Sequence, residues 1–202
     1  YFSNSGSVAN DTAIRILHHY NNLRKLPKKK KILSRVNAYH GSTHLSIAMT
    51  TPLFSEGWDG AKDLVHHVRC PKREENEMHL TDEVFLDILS EDMEQAIEKI
   101  GSDNIACFIA EPIMGAGGVI VPPKGYHKRM LAIMHEHDIK YISDEVVTAF
   151  GRLGYMFASE DVFEIVPDII TAAKGLTSGY QPLAATILSN EIYEVISQKG
   201  VD

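Results

Sequence analysis

Short continuous apolar runs and helically spaced apolar positions alternate along the chain. Continuous runs are typical of strands that are buried on both faces of a sheet. They predict strands at residues 105–110, 139–143, 169–173 and 184–188, and shorter strands are predicted at 1–3, 32–36 and 66–70. Apolar positions three and four residues apart predict helices at residues 11–23, 92–100, 126–137 and 191–199. Buried strands separated by helices indicate an α/β fold with a parallel or mixed sheet covered on both faces.

Charged residues directly follow three of the predicted strands. Glu111 comes after the run at 105–110, Asp144 after 139–143 and Lys174 after 169–173. Ligands bind to such sheets beyond the carboxyl ends of the strands, so these three side chains are expected at one site. Each alone is as well explained by the start of a solvated loop, whereas three together favour a site.

A phosphate site is a further candidate, at the start of the first helix. Ser5-Gly6-Ser7 places small residues and free amides at a helix N-terminus, where the macrodipole attracts an anion. We expect Ser7 or Asn10 to cap the first turn. The segment is neither a P-loop nor a GxGxxG motif, so an ordinary Ser/Gly cap stays an alternative.

Lys174 and Asp144 add two further anchors to this phosphate site. A lysine beside Gly175 at a strand end can be partly desolvated, which permits it to form a Schiff base with an aldehyde. A carboxylate near a ring nitrogen keeps that nitrogen protonated and makes the ring an electron sink. Pyridoxal 5′-phosphate needs these three anchors: a phosphate cup, an amine and a carboxylate.

Five separated segments resemble the class III pyridoxal-phosphate-dependent aminotransferases. They are Asn4-Ser5-Gly6-Ser7, Tyr39-His40-Gly41, Phe108-Ile109-Ala110-Glu111-Pro112, Asp144-Glu145-Val146 and Ala173-Lys174-Gly175-Leu176. Gly115-Ala116-Gly117-Gly118 is most similar to the omega-amino acid–pyruvate transaminase branch. The resemblance implies a fold-type-I, aspartate-aminotransferase-like large domain with a mixed, mostly parallel seven-stranded sheet. It also implies that residues 1–202 are the cofactor-binding large domain, without the family's N-terminal segment and small C-terminal domain.

The resemblance assigns catalytic roles to two residues and ring contacts to two others. It implies that Lys174 carries the cofactor as a Schiff base and then moves the proton. Asp144 is expected to pair with the ring nitrogen. Tyr39 is expected to stack on one face of the ring and Val146 to pack on the other.

The remaining implied contacts concern the phosphate and the ring edge. Gly6 and Ser7 are expected to bind the phosphate through backbone amides and a hydroxyl. Glu111 is expected near the phenolic oxygen, where it helps to order the site, and His40 is expected beside the ring. Val147 stands where many relatives have Gln, so one contact to a cofactor oxygen has no assigned residue.

The implied function is transfer of an amino group from an amine or omega-amino acid donor to a keto acid such as pyruvate. A homodimer of the full-length protein is expected. One alternative keeps the cofactor but changes the reaction, to that of an aminomutase or a decarboxylating transaminase. Another is a truncated, non-catalytic domain, since the chain opens on Tyr1 and ends abruptly, as a piece of a longer protein would.

Composition and sequence spacing argue against nucleic-acid binding, a membrane partner and a metal site. Lys and Arg total 20 against 27 for Asp and Glu, and a net charge of −7 argues against nucleic-acid binding. The apolar runs are too short to span a bilayer, so no membrane partner is expected. Cys70 and Cys107 are interpreted as reduced thiols of a cytoplasmic protein, with a single disulfide as the alternative. The histidine pairs lack a third ligand at suitable spacing, so no metal site is predicted.

Overall fold

The computed structural model describes residues 1–198, which form seven strands and eight α-helices. The strands are β1 (Phe2–Ser3), β2 (Lys31–Arg35), β3 (Val65–Val68), β4 (Ile105–Ala110), β5 (Lys140–Asp144), β6 (Ile169–Ala172) and β7 (Ala184–Leu188). The helices are α1 (Gly6–Leu23), α2 (Ser46–Met49), α3 (Pro52–Ser55), α4 (Asp82–Ile100), α5 (Tyr126–Glu136), α6 (Ala158–Asp161), α7 (Lys174–Thr177) and α8 (Asn190–Gln198). Short 3₁₀ turns lie at Lys62–Leu64, Glu75–Glu77 and Ser102–Asn104.

All seven strands belong to one sheet, in the order β1-β7-β6-β5-β4-β2-β3. Strands β6, β5, β4, β2 and β3 run parallel to one another, whereas β7 runs antiparallel to both β6 and β1. The expected mixed, mostly parallel, seven-stranded sheet is therefore confirmed. Its parallel strands direct their carboxyl ends to one edge, as the position of a ligand site requires.

Two apolar cores cover the two faces of the sheet, and β4 contributes to both. Phe108 packs into the core formed with α4 and α5, while Ile109 packs into the core formed with α1 and α8. This alternation follows from the strand period of two, and it explains why the whole of β4 is buried. Both Cys70 and Cys107 are buried, free thiols.

Helix α1 begins five residues earlier than its apolar spacing predicts, at Gly6 rather than 11. Ser5 is the N-cap, in place of the expected Ser7 or Asn10: its backbone is extended (φ −161°), and its side chain accepts a hydrogen bond from the Val8 amide at 3.3 Å. Apolar spacing does not predict a helix at residues 6–10, because most side chains in this first part of the helix are small or polar.

Helix α4 begins ten residues earlier than predicted, at Asp82, after the N-cap Thr81. Thr81 accepts a hydrogen bond from the Val84 amide at 3.3 Å. Phe85 and Leu89 are buried in this early part of the helix, four residues apart, so the helical apolar spacing extends further towards the N-terminus than the predicted range. The remaining predicted elements lie within two residues of the observed ones. Lys199, the predicted end of the last helix, lies outside the described residues.

The four-residue helices α2, α3, α6 and α7 have no counterpart in the sequence prediction. One helical turn is too short to display an apolar period, so its conformation depends on tertiary contacts. Helix α7 has a direct consequence for the site, because Lys174 is its first residue.

Candidate functional site

A cavity of about 480 Å³ lies at the carboxyl edge of β2, β4, β5 and β6, beside the start of α1. All eight site residues predicted from the sequence line it: Gly6, Ser7, Tyr39, His40, Glu111, Asp144, Val146 and Lys174. Asn10, Gly41, Gly115, Ala116, Val147 and Ala173 complete the lining. The structure thus brings together side chains that are up to 168 positions apart in the chain (174 − 6).

Asp144 is the last residue of β5, and its buried carboxylate accepts three hydrogen bonds. Oδ2 accepts from Nδ1 of His40 at 2.7 Å and from Nδ2 of Asn10 at 2.8 Å. Oδ1 accepts from the backbone amide of Val146 at 3.1 Å. Donors on both oxygens compensate for burial and stabilise the negative charge.

The buried ring of His40 is oriented by Asp144 and by the loop after β2. Because a carboxylate only accepts hydrogen bonds here, Nδ1 carries the ring proton. The backbone amide of His40 donates to Oγ1 of Thr50 at 3.0 Å. Nε2 is buried and has no hydrogen-bond partner among residues 1–198.

Glu111 joins the loops that follow β2 and β4. Its Oε1 accepts from the backbone amide of Tyr39 at 3.1 Å, and its Oε2 accepts from that of Gly115 at 2.9 Å. Its own carbonyl oxygen accepts from Nη2 of the buried Arg35 at 2.6 Å. Burial raises the pKa of Glu111, while the nearby His40 and Arg35 act in the opposite direction. Glu111 therefore orders two walls of the cavity.

A buried histidine supports the chain directly beyond Glu111. Nε2 of His127 donates to the carbonyl oxygen of Pro112 at 2.8 Å, and Nδ1 accepts from the hydroxyl of Tyr141 at 2.7 Å. Burial, assisted by the charge of Arg35, lowers the pKa of His127 to about 3, which keeps the ring neutral. Two successive carbonyl groups after β4 are thus held by buried side chains.

The backbone at the start of α1 lies close to the loops that follow β2 and β5. A Cβ atom added to Gly6 would lie 2.9 Å from Cγ2 of Val146, and one added to Gly41 would lie 2.4 Å from Oγ of Ser7. Oγ of Ser7 also accepts from the backbone amide of Ser42 at 3.2 Å. Gly6 and Ser7 occupy the first turn of α1, where backbone N–H groups lack intrahelical partners and attract anions.

Lys174 lies on the open side of the cavity, with an exposed side chain. Partial desolvation of this lysine stays a prediction: Lys174 is exposed among the described residues, and it is the first residue of α7, which follows β6 after Ala173. Gly175 allows this turn: a Cβ there would lie 2.8 Å from Cβ of Phe150 and 3.1 Å from the carbonyl oxygen of Ala149.

A family model for class III aminotransferases matches residues 1–201. The chain belongs to the class III aminotransferases. The chain is 45% identical over 204 aligned positions to gamma aminobutyrate transaminase 1, mitochondrial, of Solanum lycopersicum, covering 99% of this chain and 39% of that protein. It is 44% identical over 200 positions to the vanillin aminotransferase of Capsicum frutescens, covering 97% of this chain and 43% of that protein. The chain spans about two-fifths of the length of these curated relatives.

Solved omega-transaminase structures share the fold of this class III aminotransferase. An (S)-enantioselective omega-transaminase from Thermomicrobium roseum has a TM-score of 0.95 at 40% identity, covering 100% of this chain and 45% of that chain. The omega transaminase from Pseudomonas jessenii in complex with PMP has a TM-score of 0.93 at 43% identity, covering 98% of this chain and 44% of that chain. The predicted fold-type-I transaminase fold is confirmed. Class III aminotransferases use pyridoxal phosphate, which agrees with the cofactor expected from the sequence.

The sequence prediction missed Asn10 and Thr171 as members of the aminotransferase site. Asn10 was expected at most to cap α1, yet it is buried against Asp144 and His40. A signal for this is present in the sequence: helical spacing places Asn10 on the same face as Ala13 and Ile14. A polar side chain on an apolar helix face needs a hydrogen-bond partner elsewhere in the fold.

Neither a group of side chains suited to a metal ion nor a helix suited to a membrane is present among residues 1–198. No group of three or more His, Cys, Asp or Glu side chains in this part of the chain is placed to hold a metal ion. None of the helices described there combines the length and apolarity needed to cross a bilayer.

Proposed function

We propose that this chain is the cofactor-binding part of an aminotransferase that moves an amino group from an amine or omega-amino acid to a keto acid such as pyruvate. The observation that carries the proposal is that Lys174 and Asp144 line one cavity together with the first turn of α1. An amine, a carboxylate and an anion site at one cavity are the three groups that pyridoxal 5′-phosphate requires.

Several features of the cavity fit this cofactor. The Asp144 carboxylate, stabilised by three donors, suits a protonated ring nitrogen. The helix start at Gly6 and Ser7 suits the phosphate, and the buried, unpaired Nε2 of His40 offers a polar contact beside the ring. When bound, pyridoxal phosphate supplies an electron sink that stabilises negative charge at the substrate carbon.

Each remaining role in holding the cofactor and moving the proton falls to a particular residue of the chain. Tyr39 and Val146 are the hydrophobic walls that hold the ring, and Asp144 keeps the ring nitrogen protonated. Lys174 is the one lysine among the described residues that line the cavity, so its Nζ both attaches to the aldehyde and holds or moves the proton. Glu111 keeps the loops of Tyr39 and Gly115 in place.

The substrate class rests on the relatives. The curated relatives are named for gamma-aminobutyrate and vanillin, and the solved structures are omega-transaminases. All these names concern amino groups that are not in the alpha position of an amino acid, or their carbonyl counterparts. They support an amine or omega-amino acid donor for the whole protein.

The homodimer belongs to the same proposal. Tyr39 links the main cavity to a second one of about 530 Å³, which is lined in part by Phe54 and Trp58. Exposed aromatic side chains beside a site are the kind of surface that subunit contacts cover. Cytoplasmic localisation stays a prediction that rests on the buried, free thiols of Cys70 and Cys107.

Replacement of Lys174 tests the proposed function. In the full-length protein loaded with pyridoxal phosphate, Lys174→Ala should abolish the imine absorption at roughly 400–430 nm, because no other lysine among residues 1–198 lines the cavity. Exposed Lys99 on α4 provides the matched control, and Lys99→Ala should retain the band. An unchanged spectrum in Lys174→Ala, or no band in the unmodified protein, contradicts the proposal.

A further inference from the structure

Asn10 makes three hydrogen bonds that join three neighbouring elements to α1. Its Nδ2 donates to Oδ2 of Asp144 at 2.8 Å and to the carbonyl oxygen of His40 at 2.7 Å. Its Oδ1 accepts from Oγ1 of Thr171 on β6 at 2.7 Å. Both amide hydrogens and the amide oxygen are therefore used, in a side chain that is only 1% exposed.

The chemistry of the partners determines which way the Asn10 amide faces. A backbone carbonyl only accepts hydrogen bonds, so the nitrogen must face His40. The same nitrogen then faces the Asp144 carboxylate, which also only accepts. The Thr171 hydroxyl completes the arrangement by donating to the oxygen, and a rotated amide would lose the bonds to His40 and Asp144.

The Asn10 amide therefore contacts both members of the His40–Asp144 pair. It binds the same carboxylate oxygen as Nδ1 of His40, and it also holds the main chain of His40. The other titratable groups at this pair are Glu111 and His67, whose charges interact with it, and Lys174, which lines the same cavity. None of these three is assigned a hydrogen bond to the Asp144 carboxylate in the part of the chain described.

We propose that Asn10, oriented by Thr171, is a positioning residue that sets Asp144 and His40 for the ring of the cofactor. This inference rests on the proposed aminotransferase function and deepens it. Asn10 acts through Asp144 and His40, so its loss should reduce turnover more than substrate binding. Its action should also be visible without cofactor, in the hydrogen bond between His40 and Asp144.

The fold supplies a matched control for a purely structural role. Thr171 and Thr186 are paired across β6 and β7, and both donate hydrogen bonds to α1. Thr171 bonds to the Asn10 side chain, whereas Oγ1 of Thr186 bonds to the carbonyl oxygen of Ala9 at 3.0 Å. Both threonines are buried, so the change to Val removes one buried hydroxyl bond to the same helix in each case.

The experiment compares Thr171→Val, Thr171→Ser and Thr186→Val in the full-length protein. Thr171→Val should lower kcat by up to about tenfold with KM for the amine donor unchanged, the upper end of the effect expected when one neutral hydrogen bond is lost. Thr171→Ser should restore kcat to within about twofold, and Thr186→Val should stay within that range. Asn10→Asp should cost more than Thr171→Val, because it places a second carboxylate against Oδ2 of Asp144.

A second measurement uses the cofactor-free protein with ¹⁵N-labelled histidine. The proton on Nδ1 of His40 should give a deshielded resonance from its bond to Asp144. Thr171→Val should shift or broaden this resonance, and Thr186→Val should leave it in place. Equal effects of the two Val variants on kcat and on the resonance overturn the inference, because they show that only the anchoring of α1 matters.

The two proposals fail in different ways. If the unmodified protein shows the imine band and loses it in Lys174→Ala, the proposed function stands whatever the threonine variants do. Thr171→Val that behaves as Thr186→Val then refutes the positioning role alone. If the band is missing from the start, the function fails, while the His40 resonance still reports whether Thr171 and Asn10 orient Asp144.

Discussion

Asp144 and Glu111 are two buried carboxylates at one cavity, and their hydrogen bonds separate their roles. Glu111 uses both oxygens to hold backbone amides, those of Tyr39 and Gly115. Asp144 is held by the side chains of His40 and Asn10, which are themselves fixed to other elements. Glu111 is accordingly the residue that orders the loops, and Asp144 is the residue that presents charge to a ligand.

Asp144→Asn should lower kcat much more than cofactor occupancy. The amide cannot stabilise a protonated ring nitrogen, whereas most contacts to the phosphate and to Lys174 persist. We expect kcat to fall by about 100-fold or more, with occupancy changed by less than about threefold. Absorption spectra of the loaded protein and steady-state kinetics measure the two quantities.

Asp168 provides the matched control, because it is also a buried carboxylate beside the sheet but lies outside the cavity. It accepts from the backbone amide of Tyr141 at 2.7 Å. Asp168→Asn should lower stability and leave kcat per loaded site nearly unchanged. A parallel loss of occupancy and kcat in Asp144→Asn would argue against its electronic role.

At the scale of elements, the site depends on two loops that touch each other. The loop after β4 folds back on itself through a bridge between Met114 and Ile120. Gly117, at its turn, packs directly on the loop after β2: a Cβ there would lie 2.1 Å from the carbonyl oxygen of Asn37. No side chain fits at that distance, so the loops must separate if one is introduced.

Gly117→Ala should therefore destabilise the protein by about 2 kcal/mol or more, the range of overpacked core substitutions. Gly115→Ala is the matched control, because a Cβ at Gly115 meets its nearest neighbours at 3.8 Å, which is ordinary contact. Urea unfolding of the full-length proteins measures the difference. Equal midpoints for the two variants would show that the loops adapt without cost.

On the scale of the whole molecule, the edge of the sheet opposite the cavity carries a separate ionic network. Nζ of Lys140, at the start of β5, lies 2.8 Å from both carboxylate oxygens of Glu191 on α8 and 3.4 Å from Oδ1 of Asp168. The hydroxyl of Tyr20 on α1 donates to Glu191. The network connects α1, β5 and α8 at the end remote from Asn10, so the functional edge and the stabilising edge are distinct.

This network predicts a loss of stability at alkaline pH. Burial, followed by the hydrogen bond to Glu191, raises the pKa of Tyr20 from its ordinary 10 to about 12. The folded state holds the phenol proton more tightly than the unfolded chain does. The contribution of the Tyr20 phenol to the free energy of unfolding is therefore complete below pH 10. It is lost between about pH 10 and 12, a change of about 2 kcal/mol in that free energy.

Tyr20→Phe should flatten the fall in unfolding free energy between about pH 10 and 12, as measured by urea unfolding across this range. The exposed Tyr193 on α8 is the control, and Tyr193→Phe should keep the slope of the unmodified protein. Identical slopes in Tyr20→Phe and the unmodified protein would show that Tyr20 does not control the alkaline transition.

The sequence by itself determined the strands, the longer helices and the family. Continuous apolar runs such as β4 and charged residues directly after strands are local patterns, because burial on both faces and the end of a strand act on neighbouring residues. The same patterns predict Glu111, Asp144 and Lys174 at one edge, because parallel strands share their carboxyl edge. All eight site residues named from the sequence line one cavity.

Only the tertiary structure decided which partners these residues have. The one-turn helices and the exposure of Lys174 depend on contacts beyond the local window, whereas the early starts of α1 and α4 rest on the local caps Ser5 and Thr81. Asn10 shows the reason: its three partners come from residues 40, 144 and 171. Hydrogen bonds of a buried polar side chain are satisfied in space rather than along the chain, so no period in the sequence records them.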